Sequence, residues 1–243
     1  MEINQNIVEY YDELYPVTEA QKNFYSEEMS LFPKPIKLLR VGCGTGTFEH
    51  SLAVDGADVT GLETSQDLLE SANRKRRTQL MSIRFFQMSS LEMVRFLGKN
   101  FYNIISILNG RILFTHDETL IRKLFFDCKQ LLSENGHLIL SLPNMEKFSS
   151  VPLAQLPDRK SIRASLYTQI FTKDNGKKTL QLDLETGSGK IVPALKDTPI
   201  YPLTVKEIEA FSKEAGFAHC SFFSGFDKEP FTDKSDYVVS VLY

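Results

Sequence analysis

An α/β fold built on a doubly wound parallel sheet is predicted by three features of this sequence. Short apolar runs alternate with amphipathic segments along most of the 243 residues, the order typical of strand–helix–strand units. The first apolar run, 36–41, ends at a glycine-rich turn that leads directly into a helical pattern. A later run, 102–108, is apolar on both faces, as in a strand that is covered by helices on both sides.

Length, composition and charge narrow the class of protein. The chain is long enough for one α/β domain with an insertion, and its apolar fraction of 42% is that of a globular protein. A net charge of -3 provides no basic surface, so we expect no nucleic acid partner. Cys43, Cys128 and Cys220 lack the spacing of a zinc site or a disulfide framework, so we expect no metal. The acidic N-terminal residues do not resemble a signal peptide, and no apolar run is long enough to span a membrane, which predicts a cytoplasmic protein.

The glycine-rich turn, Gly42-Cys43-Gly44-Thr45-Gly46, is the first candidate ligand site. Glycines adopt positive φ without a Cβ penalty, and they let a ligand lie against the backbone. The free N–H groups of the following helix point into the same space. A dinucleotide fingerprint would carry its last glycine at position 47, where this chain has Thr47. A turn that is structural only remains the alternative for the motif by itself.

The remaining elements follow in the alternating order of an α/β domain. Glu63 stands at the end of the second strand, about 20 residues past the turn, where an acid accepts hydrogen bonds from ribose hydroxyls. A surface residue at a strand end is the alternative role for this acid. The predicted helices lie at 3–32 (one or two, broken near Pro16), 47–55, 66–79, 117–133 and 204–216, and the predicted strands at 36–41, 58–62, 82–87, 102–108, 137–142, 218–225 and 235–242.

Residues 146–201 interrupt the alternation. The segments 161–172 and 179–184 alternate apolar and polar residues around a turn that contains Asn175-Gly176, the pattern of a β-hairpin. A third extended piece is predicted near 191–195. The sequence therefore predicts a small antiparallel β insertion on the carboxyl side of the sheet. Whether it roofs a substrate site or forms a dimer contact stays open.

These motifs, in this order, resemble the class I S-adenosylmethionine-dependent methyltransferases of the small-molecule type. The G-x-G-x-G turn is similar to the first motif of that family, and Leu-Leu-Ser-Glu-Asn-Gly-His resembles its turn before the fifth strand. The capped last helix with two further strands resembles its usual ending, and the Tyr-Tyr-Asp-Glu-Leu-Tyr run at 10–15 its N-terminal lid. The resemblance implies a Rossmann-like seven-stranded sheet with an antiparallel last strand. It also implies a core of 1–145 and 202–243 with a helical lid, and S-adenosylmethionine as cofactor.

The resemblance further implies roles for individual residues. Glu63 would hold the ribose, the loop after the third strand would hold the adenine, and the lid would close over cofactor and substrate. The motifs assign no catalytic residue, and His116 and Tyr11 are the candidates. The expected cofactor-binding residues are Tyr11, Gly42, Cys43, Gly44, Thr45, Gly46, Glu63, Thr64, Met88, Ser89, Ser90 and Leu108, and the expected substrate-binding residues are Tyr15, Asn109, Gly110 and Arg111.

Three positions depart from the family pattern. Arg40, Met88 and Asn103 stand where the family usually carries acids. Arg40 matters most, because that acid lies near the ammonium group of the cofactor. Arg40 can contact the carboxylate of the cofactor instead, or turn away into an ion pair with an acid such as Glu13 or Glu92.

Three classes of function remain open at this point. The first is methyl transfer to a small-molecule acceptor. The second is a protein that binds S-adenosylmethionine, or S-adenosylhomocysteine, without catalysis, and the lost acids favour it. The third is a dehydrogenase, against which Thr47 and the two terminal strands argue. The expected partner is a small-molecule substrate, with a homodimer left open.

Overall fold

The computed structural model describes residues 7–76, 82–148 and 151–243. Its strands are β1 (Lys37–Val41), β2 (Asp58–Glu63), β3 (Ile83–Gln87), β4 (Tyr102–Ile107), β5 (Leu132–Pro143), β6 (Leu153–Gln155), β7 (Arg159–Lys160), β8 (Ala164–Thr172), β9 (Lys178–Thr186), β10 (Ile191–Ile200), β11 (Cys220–Phe223) and β12 (Tyr237–Leu242). Its helices are α1 (Tyr11–Leu14), α2 (Glu19–Ser30), α3 (Thr47–Val54), α4 (Gln66–Arg76), α5 (Met93–Phe96), α6 (Glu118–Leu131), α7 (Met145–Phe148) and α8 (Val205–Ala215). None of these helices is long and apolar enough to cross a membrane.

Seven strands form one mixed sheet with the order β11-β12-β5-β4-β1-β2-β3. Strand β1 pairs in parallel with β2 and β4, and β5 continues the parallel part next to β4. Strand β12 is antiparallel to both of its neighbours, β5 and β11. The predicted doubly wound fold and its antiparallel last strand are therefore confirmed. The strand order reverses at β1, and the carboxyl edge beside such a reversal is where open α/β sheets bind ligands.

Strands β6 to β10 form a second, antiparallel sheet, with the order β10-β9-β8-β6 and β7 paired to β8. The predicted hairpin is confirmed as β8 and β9. Strand β10 is longer than the predicted 191–195, because register shifts between Pro193 and Thr198 break its alternation without ending it. Leu166 and Leu184 of this sheet share one buried apolar cluster with Ile112 and Leu113, which follow β4.

The predicted helix bounds can also be compared with the structure in the N-terminal segment and near the start of β5. The predicted break near Pro16 is confirmed, since α1 and α2 lie on either side of it. The helix predicted for 117–133 ends earlier, at Leu131, because Leu132 already pairs with Tyr102 as the first residue of β5. The helix predicted for 66–79 is present as α4, and 77–79 lie outside the described residues.

Helix α2 is anchored to the centre of the main sheet by a buried hydrogen bond. The Tyr25 hydroxyl donates to Ser106 Oγ of β4 at 2.7 Å, and both residues are 0% exposed. The Tyr25 ring also packs edge-on against Phe48 of α3, with the ring centroids 4.8 Å apart. One side chain thus holds two helices against the strand that leads into the site.

Tyr25→Phe tests this anchor. We expect the free energy of unfolding to fall by about 1–2 kcal/mol, because the buried Ser106 hydroxyl loses its partner. Urea denaturation measures the change, and Tyr243→Phe, at a tyrosine that is 40% exposed, is the matched control. Equal losses in the two variants would contradict the anchoring role.

Candidate active site

The carboxyl edge of the main sheet brings together three separate segments. The glycine turn follows β1, Glu63 ends β2, and Asn109-Gly110 follows β4. Asn109 and Gly110 both have positive φ, at 57° and 69°, which turns the chain sharply at this edge. These residues come together because the carboxyl ends of neighbouring parallel strands lie side by side.

The glycine turn serves two different purposes. Gly42 and Gly44 let side chains approach: an added Cβ would lie 2.9 Å from Arg111 Cγ at Gly42, and 2.6 Å from the Tyr11 hydroxyl at Gly44. At Gly46 the Cβ would instead lie 2.6 Å from Cζ of Phe85, inside the core. The third glycine therefore permits α3 to pack against β3, a role that the sequence did not indicate.

Glu63 is the most densely contacted acid of this edge. It is 2% exposed, and its carboxylate accepts N–H groups from Gly44 at 2.9 Å, Thr64 at 2.8 Å and Ser65 at 3.0 Å. Burial opposes ionisation, but Arg111 and these N–H groups outweigh it and hold the pKa of Glu63 below its usual value. Glu63 is therefore a carboxylate that also ties the glycine turn to the start of α4.

Arg111 and Tyr11 lie across the glycine turn. Arg111 Nη2 is 3.4 Å from Glu63 Oε2 and 3.4 Å from the Tyr11 hydroxyl. Burial is the main cause that raises the pKa of Tyr11, with Tyr15 and Glu63 adding to it and Arg111 opposing it. The Tyr11 hydroxyl thus keeps its proton at neutral pH, so it is a hydrogen-bond donor rather than a base.

Asp12 fastens α1 onto the same turn. Its carboxylate accepts hydrogen bonds from the hydroxyls of Thr45 and Thr47, the latter at 2.8 Å, and it pairs with Lys75 of α4 at 2.5 Å. Desolvation works against this charge, yet the bonds from Lys75 and the two threonines lower the pKa of Asp12. The short N-terminal helix is held closed over the glycine turn by this acid, which the sequence analysis did not select.

Three adjoining cavities lie at this edge of the sheet, and Arg111 and Tyr11 each line two of them. The Glu63 cavity, of about 790 Å³, extends to the loop after β3. The Arg40 cavity, of about 460 Å³, lies under α1 beside the glycine turn. The insertion cavity, of about 760 Å³, lies between the strand ends and the second sheet, whose Leu180 and Leu182 line it.

The three cavities collect most of the predicted site residues. Gly44, Gly46 and Leu108 are the exceptions, because they line none of the three cavities. Tyr11 covers Gly44, Phe85 lies against Gly46, and Leu108 is 1% exposed in the core. His116 lines the Glu63 cavity and not the insertion cavity, so of the predicted substrate-binding residues only Arg111 shares a cavity with it. The Glu63 cavity is lined by Gly42, Glu63, Thr64, Met88, Ser89 and Ser90. The Arg40 cavity is lined by Cys43 and Thr45, and the insertion cavity by Asn109, Gly110 and Arg111. Tyr11 and Tyr15 line both the Arg40 cavity and the insertion cavity.

Arg40 is part of a buried ion pair. Its Nε lies 3.1 Å from Glu49 Oε1, and the two side chains are only 4% and 1% exposed. Arg40 Nη1 also donates to the backbone carbonyl of Val41 at 3.0 Å. The ion pair expected for Arg40 therefore exists, but its partner is Glu49 of α3 and neither Glu13 nor Glu92. Glu49 stands one helical turn before buried Leu52, and that spacing was the available signal for its burial.

The surroundings of Glu49 perturb its titration. Burial is the main cause that raises its pKa to about 7, and Arg40 only partly opposes this. Cys43, between the two acids, is likewise buried, and burial with the charges of Glu49 and Glu63 raises the pKa of its thiol well above its usual range. Cys43 is therefore a small, unreactive wall residue. Within the described residues, no group of three His, Cys, Asp or Glu side chains is placed to hold a metal.

Stability against pH tests the Glu49 pair. A raised carboxyl pKa means that the folded state holds the proton more tightly, so this contribution to stability is complete below about 4.5 and is lost as the pH rises to about 7. We expect the wild type to lose on the order of 3 kcal/mol relative to Glu49→Gln across that window. Urea unfolding at several pH values measures the difference. Parallel profiles would contradict the perturbed titration.

A pair of glycine variants tests the two purposes of the turn. Gly44→Ala and Gly46→Ala each place a Cβ at positive φ, which costs about 1 kcal/mol. The new Cβ of Gly44→Ala meets Tyr11 at 2.6 Å, but Tyr11 lies on the four-residue helix α1, which can move away from the turn. Gly46→Ala forces Phe85 aside in the core, so we expect it to lower the free energy of unfolding by 1–3 kcal/mol more than Gly44→Ala does, roughly the usual cost of overpacking. Thermal unfolding compares them, with Gly44→Ala as the matched control. A larger loss in Gly44→Ala would reverse this assignment.

Comparisons with known proteins agree with this geometry. Residues 38–136 match the family model described as a methyltransferase domain. A protein of Geobacillus sp. (strain WCH70) that is named as a methyltransferase is 30% identical over 115 residues, which cover 47% of this chain and 45% of that protein. The chain thus matches about half the length of its curated relatives.

Solved structures match over nearly the whole chain. The CcbJ methyltransferase from Streptomyces caelestis has a TM-score of 0.77 at 16% identity and covers 97% of this chain and 95% of its own. An S-adenosylmethionine-dependent methyltransferase from Clostridium acetobutylicum ATCC 824 has a TM-score of 0.77 at 16% identity, covering 98% of this chain and 97% of its own. At these identities the likeness establishes the fold.

Proposed function

We propose that this chain, whose residues 38–136 belong to the methyltransferase domain family, transfers a methyl group from S-adenosylmethionine to a small-molecule acceptor. The observation that carries the proposal is the meeting of the Glu63 cavity and the insertion cavity after β4, where Arg111 and Phe114 line both. Such a pair of cavities suits a cofactor on one side and an acceptor on the other. The proposed setting is the cytoplasm, as the sequence predicts.

The residues present fit this cofactor. Glu63 offers a buried carboxylate to ribose hydroxyls, and Met88 with Leu91 offers apolar surface to an adenine ring beside the hydroxyls of Ser89 and Ser90. The amino-acid end would lie in the Arg40 cavity, along Cys43 and Thr45. When bound, the cofactor supplies an activated methyl group. The work left to this chain is to orient the acceptor, exclude water and complement charge.

The insertion supports the acceptor side of the proposal. We assign it the role of a roof, because β8, β9 and β10 contribute Thr168, Leu180, Leu182 and Leu195 to the cavity wall. Among the described residues, the wall contains hydroxyl groups and guanidinium groups but no carboxylate or imidazole. An acceptor here would be a neutral amine or an already anionic group, since no wall residue is suited to remove its proton at neutral pH.

The other classes of function fit less well. The binding-only alternative drew its support from Arg40, whose charge would repel the cofactor. The Glu49 carboxyl at 3.1 Å, with a pKa of about 7, is partly ionised at neutral pH and counters part of that charge, which weakens the reason for the alternative. A dehydrogenase is disfavoured by the methyltransferase domain match and by the antiparallel β12 at the end of the sheet.

Calorimetric titration and turnover test the proposal. We expect S-adenosylmethionine and S-adenosylhomocysteine to bind within about tenfold of each other, because the Arg40 charge is paired, and NAD not to bind. Mass spectrometry of a panel of small amines, phenols and carboxylates then detects transfer of the methyl group. Binding of NAD alone would refute the proposal, and tight binding without turnover on any acceptor would favour the binding-only class.

Glu63→Ala tests whether the Glu63 carboxylate contacts the cofactor. We expect affinity for S-adenosylhomocysteine to fall by about 1.5–3 kcal/mol, the range for hydrogen bonds to a charged group. The ligand-free protein should also lose stability, because Glu63 joins the glycine turn to α4. Calorimetry on the folded fraction measures affinity, and Glu92→Ala at an exposed acid is the control. Unchanged affinity in Glu63→Ala would exclude Glu63 from the site.

A further inference from the structure

The insertion cavity contains an arginine whose charge is not neutralised by any described residue. Arg159 lies on β7, and its guanidinium carbon is 4.4 Å from the centroid of the Tyr15 ring. Within the described ranges, its guanidinium forms neither an ion pair nor a hydrogen bond. Arg111, the other arginine in the cavity wall, faces Glu63 at 3.4 Å. Arg159 therefore differs from Arg111 in having a free, directed set of donors.

The described acids beside Arg159 in the chain and around its two cavities already have partners, including Asp12 with Lys75 and Glu49 with Arg40 in the Arg40 cavity. Asp158 lies 3.5 Å from Lys160 Nζ and accepts a hydrogen bond from Gln155 at 3.1 Å. Asp236, next to Tyr237 in the cavity wall, pairs with Lys147 at 2.5 Å. The cation at Arg159 is thus left for a ligand rather than for the protein.

The residues around Arg159 determine the charge and the shape of the ligand that it can bind. Apolar side chains, Leu180, Leu182 and Leu195 among them, line the same cavity, and in such surroundings a charge acts more strongly than in water. A guanidinium presents paired donors that match the two oxygens of a carboxylate. Burial, together with Tyr15 and Asp236 and against the effect of Arg159, raises the pKa of Tyr237, so its hydroxyl is a further donor.

We infer that Arg159 binds the carboxylate of a ligand at the junction of the insertion cavity and the Arg40 cavity. Arg159 lines both cavities, so the carboxylate has two sources. It belongs either to an acceptor with an apolar body, seated in the insertion cavity, or to the amino-acid end of the cofactor in the Arg40 cavity. The inference rests on the proposed function and specifies the ligand chemistry of that same site.

Arg159→Gln is the test variant, and Lys160→Gln, at the neighbouring exposed cation, is the matched control. Calorimetry compares S-adenosylhomocysteine with 5′-methylthioadenosine, which lacks the amino acid. A second arm compares 2-naphthoate with 2-naphthamide, with and without saturating S-adenosylhomocysteine. We expect one carboxylate ligand to bind Arg159→Gln about 10- to 100-fold more weakly than wild type, its neutral analogue to be unaffected, and Lys160→Gln to match wild type.

The two arms identify the source. A loss confined to S-adenosylhomocysteine assigns the carboxylate to the cofactor, and a loss confined to 2-naphthoate assigns it to the acceptor. Equal effects on charged and neutral ligands, or no effect on any, would overturn the inference. A wild type that binds neither S-adenosylmethionine nor S-adenosylhomocysteine would refute the proposed function instead, and the naphthoate arm without cofactor would still decide the role of Arg159.

Discussion

The buried carboxylate of Glu63 is the constraint on which the site depends. A charge with so little access to water is stable only when several donors surround it. Those donors come from the glycine turn, from the first residues before α4, and from Arg111 after β4. Three loops that follow three different strands are therefore held in one arrangement by a single side chain. The cavities on either side of Arg111 take their shape from that arrangement.

The arrangement also explains why the glycine turn is covered. Arg111 and Tyr11 lie over Gly42 and Gly44, where only glycine leaves room for them. Asp12 holds α1 in place through Thr45 and Thr47. Under the proposed function, a cofactor that contacted the turn would have to displace these side chains, and its ribose hydroxyls would replace Arg111 at Glu63. Helix α1 and the cofactor would then compete for the same backbone and the same carboxylate.

Local chemistry made much of this predictable from the sequence. The glycine turn, the acid at the end of β2 and the Asn175-Gly176 hairpin each depend on neighbouring residues in the chain, so their patterns identify them. Which side chains pair between different helices and strands could not be predicted in this way. Arg40 of β1 pairs with Glu49 because the fold brings that residue of α3 to it, and position 46 must be glycine because Phe85 of β3 lies against it.

Arg159 could not be identified as a site residue from the sequence, for a related reason. It lies on a strand of two residues, which carries no periodic pattern, and its meaning depends on which acids the fold leaves unpaired. Met88 and Asn103, two of the departures from the family, have ordinary surroundings. Met88 lines the Glu63 cavity, and the Asn103 side chain accepts the backbone N–H of Lys37 at 2.8 Å. The Asn103 side chain therefore joins β4 to the first residue of β1.

The two sheets share one apolar core, and this has a consequence for how such a protein changes its substrate. Leu166, Ile170 and Leu184 of the second sheet pack in the same cluster as Leu113 and Tyr11. Exchanging the whole insertion for that of a relative would expose part of this core and remove apolar contacts of α1. Under the proposed function, new acceptors would therefore be reached more readily by single substitutions along the cavity wall than by grafting the insertion as a module. Evolution and protein engineering face the same restriction here.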